Sequence, residues 1–539
     1  MHTNAHLTHA AWHTTEHAEG TLHWRGYPDS LEALGAALAT AVPTHSAPQL
    51  DEIAGHWCAV LETPAGFIAA QDPIRSWPLF VASSPDGARV ITDSIDYARE
   101  HAGDPAVDRD FAAEFANLGY VTGRDTLFAG IEQIQPGGWM VAPADGSTRW
   151  GVRRLAPHSA PGRTDAAELD RVFTEALDRA FDRMFAEIGD RQIVIPLSGG
   201  LDSRLLAVAM HDRGHRNVVN FTYGAGRTRE VGISEEVATK LGQRWEFIEY
   251  TNAEIREAWA SPAAGAFVRD AYAGASLPHV QDWYPVQQLQ ARGLISDDAV
   301  FLPGHTVVGN MHDEQILANP APLSRHELID TLLRHHATLK PNARALLKSQ
   351  PFMAKLNEFL DSMNYDGSPD ARLDVLEYWN IIERQTKYIN NSMRGYEHFG
   401  NDWALPMLDR EVLDVWATFD RSVAQDRDWY RAYVNTRYAR ATGESINTFE
   451  AFAAANVSQG NRDRIKTVLR AVGLLTPIER RITARAYAQH PMGFQEFVGA
   501  TTPEEVRKFI LRGGQPMGIY AQRFLDDTWT PDAKLFDRD

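Results

Sequence analysis

A short loop of serine and glycine residues has the composition needed to hold a nucleoside phosphate. It spans residues 198–203 and reads Ser-Gly-Gly-Leu-Asp-Ser. Its glycines let backbone N–H groups approach a phosphate closely. The hydroxyls of Ser198 and Ser203 add donors, and the Asp202 carboxylate can hold Mg²⁺ against the phosphates. The loop therefore predicts an anion-binding site.

The residues on either side of the loop predict a strand before it and a helix after it. Residues 193–197 form the short, β-branched apolar run typical of a buried strand. Leu205, Leu206 and Ala209 recur at helical spacing, and Gly214 is a natural helix stop. This order places a helix N-terminus, with its partial positive charge, at the loop.

The loop lacks the Gly-x-x-x-x-Gly-Lys-[Ser/Thr] pattern of the Walker loop. It resembles the Ser-Gly-Gly-x-Asp-Ser loop of the ATP pyrophosphatases, the PP-loop family. The resemblance implies an α/β synthetase fold of the adenine nucleotide α-hydrolase kind, with ATP and Mg²⁺ as cofactors. It also implies cleavage of ATP between its α- and β-phosphates. The loop residues implied at the nucleotide are Leu197, Ser198, Gly199, Gly200, Leu201, Asp202 and Ser203, with Asp202 as catalytic metal ligand.

Length and composition indicate a globular protein with more than one domain. At 539 residues, 44% of them hydrophobic, the chain can build several cores. The net charge of −18 argues against nucleic acid or an anionic membrane as partner, because both would be repelled. The single cysteine, Cys58, excludes an intrachain disulfide. Since there is neither a long apolar run nor a signal-peptide pattern, we expect a cytoplasmic protein.

The first part of the chain has a β-rich pattern. Residues 56–61 and 66–70 are typical of paired strands, and further short runs predict a layered sheet domain. Residues 72–79 (Asp-Pro-Ile-Arg-Ser-Trp-Pro-Leu) resemble the Asp-x-x-Arg-x-x-Pro-Leu segment of the glutaminase-type domain of asparagine synthetases. The resemblance implies an α+β, Ntn-glutaminase-like domain over residues 1–155, followed by the synthetase domain with a helical C-terminal part over residues 165–539.

One departure from this resemblance decides the expected chemistry. Glutamine-cleaving members of the family use a cysteine that becomes the first residue once Met is removed. Here His2 stands at that position, and Cys58 lies within a strand pattern. We therefore expect no glutamine hydrolysis and a buried, structural thiol at Cys58. The histidines that crowd the first 23 residues are expected to be solvated and loosely ordered, not metal ligands.

After the PP-loop, strand and helix patterns alternate. Strands over 217–223 and 245–250, with a helix over 233–241 between them, predict a parallel, doubly wound sheet with its ligand at the carboxyl ends of the strands. In the resembling family, the end of the second strand closes on the adenine and ribose. The further residues implied at the nucleotide are Phe221, Thr222, Tyr223 and Glu230.

A second loop, residues 303–306 with the sequence Pro-Gly-His-Thr, follows another predicted strand. By resemblance it faces the PP-loop across the nucleotide, which places Pro303 and Gly304 at ATP. His305 takes the place of the family's loop glutamate. With an ordinary pKa of roughly 6.5, it could accept a proton from an attacking ammonium or amine. A histidine that only packs in the core or on the surface is the alternative.

The metal site departs from the family pattern. Asparagine synthetases carry two acids after the second loop, and the acid there serves magnesium. This chain has Val308 and Gly309 at those positions. A metal ligand is therefore missing, unless Asp313 or Glu314 supplies it.

Helical periodicity dominates from about residue 324 onward. Lys387 and Met393 match two positions of the family's Lys-x-Asp-Arg-x-x-Met segment, which implies a catalytic role for Lys387. The lysine that stabilises acyl-adenylate and pyrophosphate in the family has no clean counterpart. Arg431 lies near the expected spacing, and Lys466 has the better local context but comes late. A solvated helix face explains either residue equally well, so both stay candidates.

The resemblance spans roughly residues 50–420 and implies an ATP-dependent amide ligase that forms AMP and pyrophosphate. A substrate carboxylate is adenylated, and ammonia or an amine then displaces AMP. The Pro-Gly-His-Thr loop favours a small or sugar-linked carboxylate, as in relatives associated with bacterial surface polysaccharides. A peptide or ring-closing cyclase of the lasso-peptide or β-lactam synthetase type stays open. So do a non-catalytic nucleotide-binding scaffold and a homodimeric assembly.

Overall fold

A computed structural model describes most of the chain. The described residues are 3–144, 147–158, 161–309, 316–317, 319–444, 475–487, 492–499, 501–528 and 535–536. Lys466, His2, Asp313 and Glu314 lie outside them. Within these ranges no helix combines the length and apolar character needed to cross a membrane.

The regular elements form three sheets and many helices, as the alternating patterns predict. The strands are β1 (Thr3–His6), β2 (His13–His17), β3 (Gly20–Gly26), β4 (Trp57–Thr63), β5 (Gly66–Gln71), β6 (Phe80–Ser83), β7 (Arg89–Thr92), β8 (Ile131–Gln133), β9 (Gly138–Pro143), β10 (Arg149–Val152), β11 (Ile193–Pro196), β12 (Val218–Gly224), β13 (Arg244–Glu249), β14 (Val300–Phe301) and β15 (Asp402–Trp403). The α-helices are α1 (Leu31–Thr44), α2 (Ile95–His101), α3 (Arg109–Leu118), α4 (Ala166–Ile188), α5 (Asp202–Asp212), α6 (Arg229–Lys240), α7 (Asn252–Trp259), α8 (Pro262–Ala271), α9 (Trp283–Ala291), α10 (Arg325–His336), α11 (Gln350–Ser362), α12 (Pro369–Trp379), α13 (Met393–His398), α14 (Arg410–Ala417), α15 (Arg421–Ala424), α16 (Asp428–Thr442), α17 (Leu475–Tyr487), α18 (Pro503–Leu511) and α19 (Pro516–Leu525). A π-helix covers Asn380–Ile389, and short 3-10 turns cover Ala343–Lys348, Asn390–Ser392, Pro406–Leu408 and Phe494–Val498.

Two sheets stack in the first part of the chain. A six-stranded antiparallel sheet has the order β10-β9-β5-β4-β3-β2, and a four-stranded sheet has the order β1-β7-β6-β8. Because side chains alternate along a strand, Cys58 and Val60 of β4 face Val81 of the smaller sheet, while the intervening residues pack against Leu38 of α1. Ile95 of α2 covers the outer face of the smaller sheet. The predicted layered sheet is confirmed as helix, sheet, sheet, helix.

Cys58 is a buried thiol, as predicted. It has 0% of its surface exposed, and burial raises its pKa well above the ordinary value. A thiol in this state is a poor nucleophile at neutral pH.

The histidine-rich opening is ordered, which corrects the expectation of loosely held side chains. His6 stacks on Tyr97 with ring centroids 3.6 Å apart, and His13 stacks on Trp24 at 4.4 Å. Pairing of β1 with β7 and of β2 with β3 orders the backbone there. In the described part of the chain, no group of three or more His, Cys, Asp or Glu side chains could hold a metal ion.

The third sheet is fully parallel, with the order β13-β12-β11-β14-β15. The chain runs outward from β11 through β12 to β13 and then returns to the other side of β11 as β14. The strand order therefore reverses between β11 and β14. In open parallel sheets, ligands bind at the carboxyl ends of the strands beside such a reversal. The predicted doubly wound sheet is confirmed.

The segment between the first sheets and α4 is anchored through His158. Its Nδ1–H donates to the carbonyl of Phe419 at 3.2 Å, and Nε2 lies 2.6 Å from Oε2 of Glu377. The other oxygen of Glu377 accepts from the Trp416 indole at 2.7 Å. Burial alone would lower the pKa of His158, but the hydrogen bond and charge of Glu377 outweigh it and raise that pKa above its usual value.

This pair predicts a pH-dependent stability. Because the folded pKa of His158 is raised, its contribution is fully present below the unfolded value of about 6.5 and is lost as pH rises through the folded pKa. Glu377→Gln keeps an acceptor for Trp416 but removes the charge. In mildly acidic buffer we expect the free energy of unfolding of this variant to be about 1.5–3 kcal/mol lower than that of the wild type. Its unfolding midpoint should also depend less on pH.

Asp270→Asn is the matched control, since it removes the partner of His398 in a pair at the surface. We expect this variant to keep the wild-type fall in stability above neutrality. An unchanged pH profile in Glu377→Gln would show that His158 does not carry the effect.

Candidate active site

The PP-loop joins β11 to α5 and is held in shape by its own serines. The N–H of Ser198 donates to Oγ of Ser203 at 3.0 Å, and the N–H of Gly200 donates to Oγ of Ser198 at 3.1 Å. None of the described side chains caps the first turn of α5. The N–H groups at that helix end are therefore available to an anionic ligand.

Arg204 fixes the loop from behind. Its guanidinium donates to the Gly199 carbonyl at 3.2 Å and to the Asn435 side chain in α16 at 3.0 Å. The side chain is 2% exposed, and burial lowers its pKa to about 10, which still leaves it a cation at neutral pH. Arg204 is a positioning residue that ties α16 to the PP-loop.

The loop after β14 lies directly against the PP-loop. A Cβ atom on Gly304 would come within 2.7 Å of the backbone nitrogen of Ser203 and 3.2 Å of Cβ of Asp202. Only glycine allows this approach without movement of the backbone. Pro303, Gly304 and His305 therefore face the PP-loop at the reversal of the sheet, as predicted.

A cavity of about 260 Å³ opens between these two loops. It is bounded by the carboxyl ends of β11, β12 and β14, the start of α6 and the segment before α9. The predicted site residues that line it are Leu197, Ser198, Asp202, Ser203, Phe221, Thr222, Tyr223, Glu230, Pro303, Gly304 and His305. Gly199, Gly200 and Leu201 complete the loop without lining the cavity. Most of the predicted nucleotide contacts are thus brought together at one place.

Two of the β12 residues have structural partners. The Thr222 hydroxyl donates to the Leu197 carbonyl at 2.6 Å, and the Ser234 hydroxyl donates to the same oxygen at 2.8 Å. The Tyr223 hydroxyl donates to Oδ1 of Asp282 at 2.6 Å. Thr222 therefore fixes the start of the PP-loop, and Tyr223 positions an acid on the cavity wall.

Asp202 is paired with an arginine that the sequence did not single out. Nη2 of Arg427 lies 2.5 Å from Oδ1 of Asp202, and the guanidinium lies 5.1 Å from the centre of the Tyr430 ring. A Cβ atom on Gly309 would collide with the Arg427 side chain. Burial raises the pKa of the Asp202 carboxyl, and the Arg427 charge offsets only part of that effect.

The two positions after the second loop where acids were expected have other structural roles in this chain. Val308 is 0% exposed in the core, and Gly309 leaves the space that Arg427 fills. Where the resembling family is expected to carry metal-binding acids, this chain places a cation beside Asp202. Nε of Arg427 is buried without a hydrogen-bond partner among the described residues, and Arg427 is not one of the residues that line the cavity.

One carboxylate suffices for the kind of magnesium site that nucleotides use. Mg²⁺ keeps several waters and is usually held by one or two carboxylates together with the substrate phosphates. Asp202 is the acid in the PP-loop; one of its oxygens is paired with Arg427, and the carboxylate also has the Tyr430 hydroxyl as a hydrogen-bond partner. Among the described residues, the donor set fits a Mg²⁺ held mainly by ATP and water, and no group of three or more side chains there could hold a metal ion by itself.

His305 is held in one tautomer. Its Nδ1 lies 3.1 Å from Oδ1 of Asn390, an oxygen that also accepts from the Gln385 amide at 2.8 Å. Because a carbonyl oxygen only accepts, Nδ1 carries the proton and Nε2 is the acceptor. Burial and the neighbouring His279 lower the pKa of His305 to about 4. The environment of the ring is therefore not the unperturbed one for which a pKa of roughly 6.5 holds, and the lowered pKa favours the uncharged ring at neutral pH.

Of the three predicted cationic residues, the two that the structure describes lie away from the cavity lining. Lys387 is 0% exposed; its ammonium lies 2.6 Å from Oε2 of Glu383 and donates to the carbonyls of Val121 and Gly123. These contacts make it a link between the first sheets and the π-helix, away from the cavity lining. Arg431 is half-exposed and paired with Asp428. Lys466 lies outside the described residues.

Sequence reasoning missed Arg427, Arg204, Asp282 and His279. The last two line the cavity from the segment before α9, which has neither a motif nor a helical period. Arg427 precedes the first residue of α16, one helical turn before Arg431. Of these four residues, only Arg204 could have been noticed from the sequence, because it directly follows the loop.

Two solved structures are similar to parts of the chain. The NH3-dependent NAD synthetase of Campylobacter jejuni has 14% identity over 38% of this chain and 84% of its own, with a TM-score of 0.19. A predicted subunit of tRNA methyltransferase from Methanocaldococcus jannaschii has 18% identity over 34% of this chain and 92% of its own, with a TM-score of 0.15.

A search of curated proteins found no match for the chain. The family model described as asparagine synthase matches residues 172–431. This range begins within α4, includes the whole parallel sheet and both loops of the cavity, and ends just beyond Arg427. The range that is similar to the asparagine synthase family model therefore includes both loops that bound the cavity.

Proposed function

We propose that the protein is an ATP-dependent amide ligase that activates a substrate carboxylate as its adenylate. The observation that carries this proposal is the PP-loop at the reversal of the parallel sheet, with Arg427 beside Asp202. The asparagine synthase family match over the same segment supports it. ATP and Mg²⁺ are the proposed cofactors.

The proposed reaction has two steps. A carboxylate oxygen of the substrate attacks the α-phosphorus of ATP, and the bond to the bridging oxygen breaks, so that pyrophosphate leaves. An amine nitrogen then attacks the acyl carbon, and the acyl C–O bond breaks to release AMP and an amide. Nε2 of His305 is the proposed acceptor for a proton lost by the nitrogen, in keeping with its tautomer.

The charge on the departing pyrophosphate is the main barrier that the site can lower. The N–H groups at the start of α5 and the guanidinium of Arg427 are the proposed stabilising groups. Bound Mg²⁺ would add charge neutralisation at the phosphates, with Asp202 as its protein ligand. Arg427 thus takes the role that the sequence had left to Arg431 or Lys466.

The nitrogen source is proposed to be ammonia or an amine and not glutamine. Cys58, the single cysteine of the sequence, is buried between two sheets with a raised pKa, which does not suit a glutaminase nucleophile. The described cavity of about 260 Å³ suits a small donor better than a peptide segment. A small or sugar-linked carboxylate therefore remains the leading substrate class.

The first test is ATP–pyrophosphate exchange with radiolabelled pyrophosphate, Mg²⁺ and pools of small carboxylic acids. Exchange reports adenylation alone and needs no amine. We expect acid-dependent exchange that falls at least about 100-fold in Asp202→Ala. Splitting the active pool then identifies the carboxylate.

If no acid in a broad pool supports ATP–pyrophosphate exchange while calorimetry shows normal ATP binding, the proposed adenylation of small acids is wrong. The same assay with peptide acids would then separate the cyclase from the non-catalytic scaffold. A scaffold would bind ATP and stay silent with peptides as well.

A further inference from the structure

One end of the cavity carries an acid that no basic side chain neutralises. Asp282 stands just before α9 and lines the cavity. Its Oδ1 accepts from the Tyr223 hydroxyl at 2.6 Å, and its Oδ2 accepts from the Tyr396 hydroxyl. Within the described ranges, no Lys, Arg or His nitrogen lies in ion-pair distance of this carboxylate. Neutral hydroxyl donors leave its negative charge in place.

The two tyrosines hold this acid rigidly. Tyr223 belongs to β12 in the parallel sheet. The Tyr396 ring stacks on Phe301 of β14, with centroids 4.2 Å apart and planes within 12°. The carboxylate is therefore fixed between the ends of two strands of the sheet. Each of its oxygens has a further lone pair to accept a bond from a ligand.

Two uncharged histidines face the same end of the cavity. Nε2 of His305 is an acceptor, because Nδ1 is bound to Asn390. Nδ1 of His279 is buried and has no hydrogen-bond partner among the described residues. Burial lowers the pKa of both rings to about 4, so neither repels a cation at neutral pH. A carboxylate, one imidazole acceptor on His305 and a ring nitrogen of His279 without a partner among the described residues thus line the cavity.

We propose that Asp282, with His279 and His305, binds the nitrogen donor as an ammonium cation. This inference rests on the proposed ligase function and names the class of its second substrate: ammonium or a primary alkylammonium. A cationic N–H group matches a carboxylate and the His305 acceptor in charge as well as in hydrogen bonding, whereas a neutral amide matches them in hydrogen bonding alone and a second carboxylate in neither. Asp282 is the specificity-determining residue and does not take part in bond making; the bound ammonium passes one proton to Nε2 of His305, and the lone pair so formed attacks the acyl carbon.

A ribose of ATP is the other group that a carboxylate commonly binds, through its hydroxyls. The two roles separate in kinetics, because adenylation uses ATP and does not use the amine. A ribose contact would change KM for ATP in the exchange reaction. A contact with the amine would leave exchange untouched and change only the amide-forming step.

The experiment uses Asp282→Asn in the full chain, with the carboxylate found by exchange. Ammonium chloride and methylammonium chloride serve as cationic probes, and hydroxylamine, uncharged at neutral pH, serves as the neutral nucleophile. We expect KM for both cations to rise about 10- to 100-fold. Exchange, KM for ATP and hydroxamate formation from hydroxylamine should stay within about twofold of wild type.

Tyr396→Phe is the second variant, since it removes one of the two hydroxyls that fix the acid and is expected to give a smaller rise of about 3- to 10-fold. Asp270→Asn, a surface acid outside the cavity, is the matched control.

A raised KM for ATP with an unchanged KM for ammonium would assign Asp282 to the ribose and overturn the proposal. Equal losses with ammonium and hydroxylamine would overturn it as well. Absence of exchange in the wild type would instead remove the ligase function itself, and the amine site with it.

Discussion

Replacement of Arg427 by glutamine is expected to lower acid-dependent ATP–pyrophosphate exchange by about 100- to 1,000-fold, the loss typical when one preorganised charge-stabilising group is removed. The guanidinium lies 2.5 Å from Asp202, and its buried Nε has no partner in the described part of the chain. Because Arg427 reaches Asp202 from outside the described cavity lining, its proposed contact with a phosphate oxygen requires a small movement of the side chain. Glutamine keeps much of the length but loses the charge and the fork of donors.

Arg431→Gln is the matched control, because Arg431 lies one turn further along α16 and is paired with Asp428 at the surface. We expect its exchange rate to stay within about twofold of wild type. Calorimetry should show weaker ATP binding in Arg427→Gln alone. Equal, small losses in both variants would rule out Arg427 as the phosphate-binding cation and return attention to Lys466.

Local sequence patterns were enough to predict the strand, loop and helix on which the site is built. The run 193–197 is a strand, the loop at 198–203 follows it, and α5 begins at Asp202. Periodicity and glycine placement act over a few residues, so a sequence displays them directly. The parallel direction of the strands then follows from the alternation of strand and helix, whereas their order is known from the structure. Hence the sequence was enough to predict at which end of the sheet the cavity lies, but not all the residues that line it.

The charges inside the cavity could not be predicted in the same way. Asp202 and Arg427 are 225 positions apart, and Tyr223 and Asp282 are 59 apart. Nothing in the local sequence distinguishes Arg427 from Arg431, since both stand at the start of one helix. The choice between them is made by the packing of α16 on α5, which Arg204 and Asn435 fix.

Lys387 illustrates the opposite error. Its match to a family segment suggested chemistry, yet its spacing of four residues from Glu383 is also that of an ion pair along a helix. That simpler explanation is the one the contacts favour. The pKa of His305 likewise depends on burial and on His279, which no local pattern reveals. The motifs therefore predicted where a residue lies more reliably than whether its side chain is protonated.

Gly304→Ala is expected to weaken ATP binding about 10- to 100-fold, the second large effect, without any change in a charged or polar group. The added methyl group would lie 2.7 Å from the backbone nitrogen of Ser203, a distance that real Cβ atoms do not reach. The second loop or the N-terminus of α5 must therefore move. Overpacking of this kind typically costs about 1–3 kcal/mol, and here the displaced atoms are those proposed to bind phosphate.

Gly232→Ala is the matched control, because Gly232 lies within α6 and an added Cβ there would meet nothing within 4 Å. Alanine favours helix, so we expect this variant to be slightly more stable, with unchanged ATP affinity. Calorimetric titration of ATP and thermal unfolding of both variants would measure the difference. If Gly304→Ala binds ATP as tightly as wild type, the two loops do not close on the phosphates as proposed. The contact between the second loop and the start of α5 would then serve folding alone.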